Sequence, residues 1–231
     1  MRPPASLPAE PARSDTPASA RTRVRRIPEN GRYDEASVRA IVDAALMCHI
    51  AFCDADGMHC LPTACWREGD FLYIHGSNGS RMLKVLQSAP SAAVSITHLD
   101  GLVLARSAFN HTMNYRSVVI YGAFEIVPEQ HKAASLAAFM EHIAPGRQAQ
   151  VRAGNAKELA ATTVLRISLQ EAAAKVRAGA PDDDEADLAW PVWCGVLPMA
   201  LTPQPPQRDP SCTLEPPEYV LRWNDRTFCA R

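Results

Sequence analysis

From residue 34 onward the apolar positions change period several times, and each change marks an element. Val38, Ile41, Val42, Ala45 and Leu46 fall at helical spacing behind Asp34, a good capping residue with Ser37 in the first turn. An amphipathic helix over 35–46 is predicted. Short runs suited to strands follow over 47–53, 59–67 and 71–75. Between them lie Asp54-Ala55-Asp56-Gly57 and Glu68-Gly69-Asp70, both of hairpin-turn composition. A short helix over 80–87 is stopped by Ser88-Ala89-Pro90. Strands are predicted over 92–99 and 102–108, with Asp100-Gly101 as the turn between them. A long β-branched strand covers 115–127, and Gly122 in its middle predicts a bend or bulge. A helix over 129–143 places Ala133, Leu136, Met140 and Ile143 on one face and closes at Pro145-Gly146. A short helix over 155–160 and strands over 163–169 and 172–177 complete the pattern. Many short, closely joined antiparallel strands with few helices suit a closed or split barrel better than a parallel sheet.

The flanks read differently. Residues 1–29 are rich in Pro, Ala, Ser and Arg and form an expected disordered N-terminal arm. Its basic run, Arg21 to Arg26, is expected to be solvated or to pack locally. The folded domain is expected over 30–200. Near its end come an acidic loop, Pro181 to Glu185, and the segment Trp190-Pro191-Val192-Trp193. A Pro-rich tail occupies 201–231, where Tyr219, Trp223 and Phe228 allow a docked segment.

A length of 231 residues with 47% hydrophobic positions supports a real core. A net charge of −1 predicts no bulk attraction to nucleic acid or to acidic membranes. No apolar run reaches the ~18 residues of a membrane span. Residues 1–26 lack the apolar centre of a secretory signal, so a cytoplasmic protein is expected. The seven cysteines contain no C-x-x-C pair. Cys48, Cys53, Cys60 and Cys65 cluster with His49 and His59, which allows a metal site. The preferred reading is no metal, and small thiols in adjacent strands of a reduced protein.

The segment from Leu72 to Leu86 carries the most chemistry. An apolar run ends in His75-Gly76-Ser77-Asn78-Gly79-Ser80-Arg81 and an amphipathic stretch follows. A strand entering a helix through a Gly/Ser turn collects unpaired backbone N–H groups at the positive end of the helix dipole. Ser77, Ser80, Arg81 and Lys84 add donors and charge, which makes a phosphate site. The spacing is neither G-x-x-x-x-G-K-[ST] nor G-x-G-x-x-G. The same residues also describe an ordinary capped helix.

Several segments in order resemble one family: Leu61-Pro62-Thr63, Tyr73 to Ser77, Ser80-Arg81-Met82, Asp100 to Phe109 and Met113 to Val118. Over about residues 24–200 the chain resembles the pyridoxamine 5′-phosphate oxidase-like FMN-binding split barrels, in particular the flavin-nucleotide-binding branch that includes the nitroimidazole reductases. The resemblance implies a mainly β fold, a six-stranded antiparallel split barrel with flanking helices. It implies a homodimer with flavin at the subunit interface, FMN being expected from a single-phosphate turn and FAD remaining open. It places Ser80, Arg81 and their neighbours Gly76, Ser77 and Met82 at the phosphate. The backbone of Pro62 and Thr63 lies along the ring edge, and Asn114, Tyr115, Arg116, Ser117 and Lys175 approach the flavin. His75 stands where the branch has a histidine near the flavin, able to shuttle protons; a strand-end histidine bonding a carbonyl is the alternative.

There are departures from the family's vitamin-making oxidases. The strand before the turn, His59 to Cys65, has no arginine or lysine, and Asn110-His111 replaces a frequent histidine pair. Pyridoxamine phosphate oxidation is therefore not expected. The first functional expectation is a flavin oxidoreductase that reduces a small electron-poor substrate with electrons from a nicotinamide. The second is a flavin carrier or sensor without turnover. The third is a haem-binding split barrel, for which His75, His98 and His111 are the available iron donors.

Overall fold

The computed structural model describes residues 16–225. In chain order the elements are β1 (Gly31–Arg32), α1 (Glu35–Asp43), β2 (Met47–Asp54), β3 (Gly57–Ala64), β4 (Trp66–Glu68), β5 (Phe71–Ser77) and α2 (Arg81–Leu86). Then come β6 (Ala92–Leu104), β7 (Thr112–Gly122), β8 (Glu125–Ile126), α3 (Glu129–Ile143), α4 (Ala156–Ala160), β9 (Thr162–Ser168), β10 (Ala172–Arg177), β11 (Gly195–Pro198) and α5 (Glu218–Leu221). The strands form two antiparallel sheets. One runs β1-β10-β7-β6-β2-β3, with β11 also on β6; the other runs β4-β5-β9-β8. This is the mainly β fold with flanking helices that the sequence predicts.

The inner faces of the two sheets meet in the main core. Cys48, Ile50 and Phe52 of β2, Leu72 and Ile74 of β5, Val94 and Ile96 of β6, and Val118 and Ile120 of β7 pack there. Two helices close it. Asp34 caps α1 by accepting from the Ser37 N–H at 2.8 Å, and Val38, Ile41 and Val42 enter the core. Each such burial contributes about 1.5–3 kcal/mol, which is what holds so short a helix. The cap of α2 is Ser80, and this helix buries Met82, Leu83 and Leu86. A second cluster lies under α3: Trp66, Tyr73, Val127 and Val164, with Leu136 and Phe139 of the helix.

Four expectations change. Residues 92–99 and 102–108 are not a hairpin: β6 runs unbroken to Leu104, and Asp100-Gly101 is a register shift against β7. A tight turn is impossible there because β11 lies alongside, with the Leu197 carbonyl 2.9 Å from where a Gly101 side chain would begin. The run 59–67 divides at Cys65 into β3 and β4, which belong to different sheets. The long strand ends at Gly122, the expected bend, and β8 continues in the other sheet. On α3 the buried residues are Lys132 and Ser135, whereas Ala133 is exposed.

Of the arm expected over 1–29, residues 1–15 lie outside the described residues. Residues from 19 onward lie on the barrel. Thr22 is buried, Ser19 Oγ donates to Glu171 at 2.7 Å, and the Arg21 guanidinium sits 4.3 Å over the Tyr121 ring. These polar and cation–π contacts anchor a stretch that composition alone marked as free. The tail also docks: Tyr219 Oη lies 3.1 Å from Arg147 and 3.2 Å from Gln150, in the loop after α3. Phe228 and Cys229 lie outside the described residues. No helix among the described residues is long and apolar enough to cross a membrane.

Candidate functional site

The turn from β5 into α2 is built as the sequence predicts. A side chain on Gly76 would meet Leu83 Cδ1 at 2.9 Å, so the bare glycine lets α2 seat against β5. Ser80 accepts from the Leu83 N–H, and Arg81 begins the helix. Arg81 reaches back over the β2–β3 turn. Its Nη1 is 3.1 Å from Asp56, its Nε is 3.4 Å from Asp54, and its Nη2 donates to the His59 ring at 3.0 Å. His59 in turn lies 2.8 Å from Asp54. That bond, the Asp56 N–H and the Arg81 charge hold the Asp54 carboxyl below its ordinary value. None of Asp54, Asp56 and His59 was visible as a partner of Arg81 in the sequence; Asp54 and Asp56 read there only as turn residues. The Arg81 side chain is 55% exposed. Its pair with Asp56 is exposed on both sides and screened by solvent, so that contact is weak and exchangeable.

Pro62 and Thr63 lie on the same hairpin, roughly 10 Å along β3 from His59 at strand rise. Among the described residues β3 pairs with β2 only, which leaves its other edge without a strand partner there. Arg81, Ser80 and the Pro62–Thr63 edge are one side of the candidate site. The expected residues of β7 and β10 form another. Ser117 pairs in register with Lys175, and Tyr115 with Arg177. Asn114 is buried, donating to the Gly179 carbonyl at 3.0 Å and accepting from Arg177. Three strand steps separate β7 from β3, about 14 Å at normal spacing.

The charges at Arg116 and Arg106 find partners in the chain itself. Arg116 makes a two-pronged contact with Asp100 at 2.8 and 2.9 Å. Arg106 binds Asp183 through its backbone N–H at 2.7 Å and its guanidinium at 2.8 Å. Burial pushes the Asp183 carboxyl up, but these contacts outweigh it and hold the group below its ordinary value. The acidic loop is thus tied to the end of β6. Lys175 donates to the Arg26 carbonyl at 3.0 Å.

His75 stands apart from the phosphate turn. Adjacent strand residues face opposite ways, and Gly76 faces α2. The His75 ring lies in the cluster under α3, 4.6 Å from the Phe139 ring and 5.7 Å from that of Trp66. Its Nδ1 is the one buried side-chain polar atom without a hydrogen-bond partner among the described residues, and burial lowers its pKa. The other two candidate iron donors differ. His98 Nε2 bonds the Ile41 carbonyl at 3.0 Å, and His111 Nδ1 bonds the Ser107 carbonyl at 2.9 Å on an exposed loop. The clustered cysteines divide: Cys48 and Cys65 are buried, Cys53 and Cys60 exposed. Hydrogen bonding to Cys65 and burial push the Cys48 thiol up, which makes it unreactive.

Comparison with known proteins places these features. No curated protein matches the chain. Among solved structures, the flavocytochrome Anf3 from Azotobacter vinelandii is 40% identical, covering 90% of this chain and 98% of its own, with a TM-score of 0.86. The FAD and haem binding protein from Mycobacterium smegmatis is 33% identical, covering 84% of this chain and 97% of its own, with a TM-score of 0.81. A Bacteroides thetaiotaomicron protein whose name links it to 5-nitroimidazole resistance is 19% identical, covering 62% of this chain and 84% of its own, with a TM-score of 0.52. The nitroimidazole likeness therefore extends to the fold alone. The family model described as pyridoxamine 5′-phosphate oxidase matches residues 34–176, which run from α1 into β10, and the chain belongs to that family.

Proposed function

We propose that this protein is a dimeric redox protein that binds flavin and also holds haem. The observation that carries this reading is its likeness, along most of its length, to a flavocytochrome and to an FAD and haem binding protein. The expected flavin oxidoreductase thus keeps its flavin, and the haem reading moves ahead of a carrier without turnover. The FAD of the second relative favours FAD over FMN. Flavin exchanges one or two electrons and haem exchanges one, so the pair would couple two-electron to one-electron partners.

Ser77, Ser80 and Arg81 would hold the flavin phosphate, and the open edge of β3 at Pro62 and Thr63 would meet the ring. The group at Asn114–Ser117 and Lys175 lies too far across the sheet to share that position within one copy, which favours completion of the site by a second copy. The outer face of the large sheet supports a dimer. Met47, Met58, Leu99, Leu102 and Met113 alternate onto that face and are all exposed. Such an apolar surface on a separate protomer calls for a cover.

For iron, His111 has the fitting arrangement. A ring nitrogen facing a carbonyl carries the proton, so Nδ1 donates to Ser107 and Nε2 keeps its lone pair. That second bond is what orients a metal-bound imidazole. Phe109, two residues earlier, is 90% exposed and offers an apolar wall.

The test is the absorption spectrum of the purified protein beside its R81A and H111A variants. The wild type is expected to show flavin bands and a Soret band. R81A is expected to lose flavin, with affinity roughly tenfold or more weaker, because a charge-assisted contact worth ~1.5–3 kcal/mol is removed. H111A is expected to keep flavin and lose the Soret band, which added imidazole restores. A protein that carries flavin but refuses added haemin overturns the haem reading. One that binds neither overturns the whole reading.

A further inference from the structure

A cleft of about 540 Å³ opens between α2, α3 and the first residues of β9. Lys84 and Lys132 line it. Arg81 pairs with the β2–β3 turn, whereas Lys84, one helical turn further along the exposed face of α2, lines this cleft.

Lys132 is the unusual member. It sits on the buried face of α3, where the helical pattern predicted apolar residues, and its side chain is only 10% exposed. An ammonium taken out of water is costly unless it is well paired. Its Nζ donates to the Leu159 carbonyl at 3.1 Å and pairs with Glu129 at 2.6 Å. Glu129 is 73% exposed and one helical turn away, so the counter-charge stands at the mouth of the cleft on a side chain that can leave. Of the three donors on an ammonium, one remains.

The rest of the lining fits an anion with an apolar body. The Asn78 amide is fixed by its bond to the Ala160 carbonyl and accepts from Thr163, holding the polar side. Ile126, Pro128 and Val164 supply the apolar wall. Val164 pairs in register with His75, the residue with the unpartnered buried nitrogen.

We propose that this cleft binds a small organic acid. Lys132 and Lys84 hold the carboxylate, the apolar wall holds its body, and Glu129 stands in for the ligand until it arrives. The cleft adjoins the proposed flavin turn through Asn78, but Ser77, Ser80 and Arg81 do not line it.

The experiment is calorimetric titration of the purified holoprotein with benzoate, and with inorganic phosphate as a second probe. Benzoate is expected to bind saturably and more tightly than phosphate. K84A, on the exposed face of α2, and K132M are each expected to weaken benzoate about tenfold or more. E129Q is expected to tighten it, because the internal competitor for Lys132 loses its charge. Flavin and haem content of E129Q stays at the wild-type level, which separates this site from the redox one. Failure of benzoate to bind saturably to both the wild type and E129Q overturns the proposal. So does phosphate binding as tight as benzoate, or an E129Q variant that binds more weakly than wild type.

Discussion

His75 shows how far a single residue can be read from sequence. Its place at the end of an apolar run was plain, and so was its proximity in sequence to the phosphate turn. Which face of β5 it takes was not, because that depends on Leu83 occupying the opposite face at Gly76. The result is a ring wedged between Trp66 and Phe139 with an unpaired nitrogen. This has a consequence for pH dependence. Burial holds the His75 pKa below the ordinary 6.5, so the folded protein binds fewer protons there than the unfolded chain. The contribution is whole above that value and is lost as pH falls beneath it. The wild type should therefore lose stability between about pH 7.5 and about pH 5.5, and H75L should lose less, as read from urea unfolding at both. The lowered carboxylates Asp34, Asp54 and Asp183 change charge below this window and leave the comparison clean. Equal pH slopes in the two proteins would show that the ring gains its proton in the folded state as easily as in water.

At the scale of elements, local signals worked where the physics is local. The Asp34 cap and the capped start of α2 were legible, since each needs only neighbours in sequence. Pairing was not legible. The Asp100-Gly101 dipeptide has the composition of a turn and sits inside a 13-residue strand, because β11 arrives from a hundred residues away to occupy that edge. The packing of α2 on β5 offers a direct test. Gly76→Ala places a methyl group 2.9 Å from Leu83. We expect a loss of about 1–3 kcal/mol from overpacking. In the double variant with Leu83→Ala the two losses should fall short of their sum, because the second change removes the clash. Strict additivity in denaturant unfolding would mean that Gly76 and Leu83 do not press on each other.

For the whole molecule, the exposed apolar outer face of the large sheet is where the proposed dimer would form. Leu102 and Met113 pair directly across β6 and β7 and both point outward. Replacing Leu102 with Asp is expected to convert dimers to monomers in sedimentation and to release flavin. The core is untouched, so the circular dichroism spectrum should remain. A variant that stays dimeric and yellow would move the interface elsewhere on the surface.

The sequence by itself determined the periodicities, the caps and the family motifs, and through them a mainly β fold, the strand–turn–helix at Ser80 and the family. These follow from short-range sterics, hydrogen bonding and the alternation of apolar positions. Only the tertiary structure decided which charges meet: Arg81 with Asp54 and Asp56, Arg116 with Asp100, Arg106 with Asp183, and Lys132 with Glu129 beneath α3. Most of these pairs join separate elements, and even the near neighbours Lys132 and Glu129 owe their burial to the sheet that α3 covers. No pattern along one segment encodes which distant carboxylate will be brought within reach of a cation. That is settled when the sheets close and each cation removed from water must find a counter-charge.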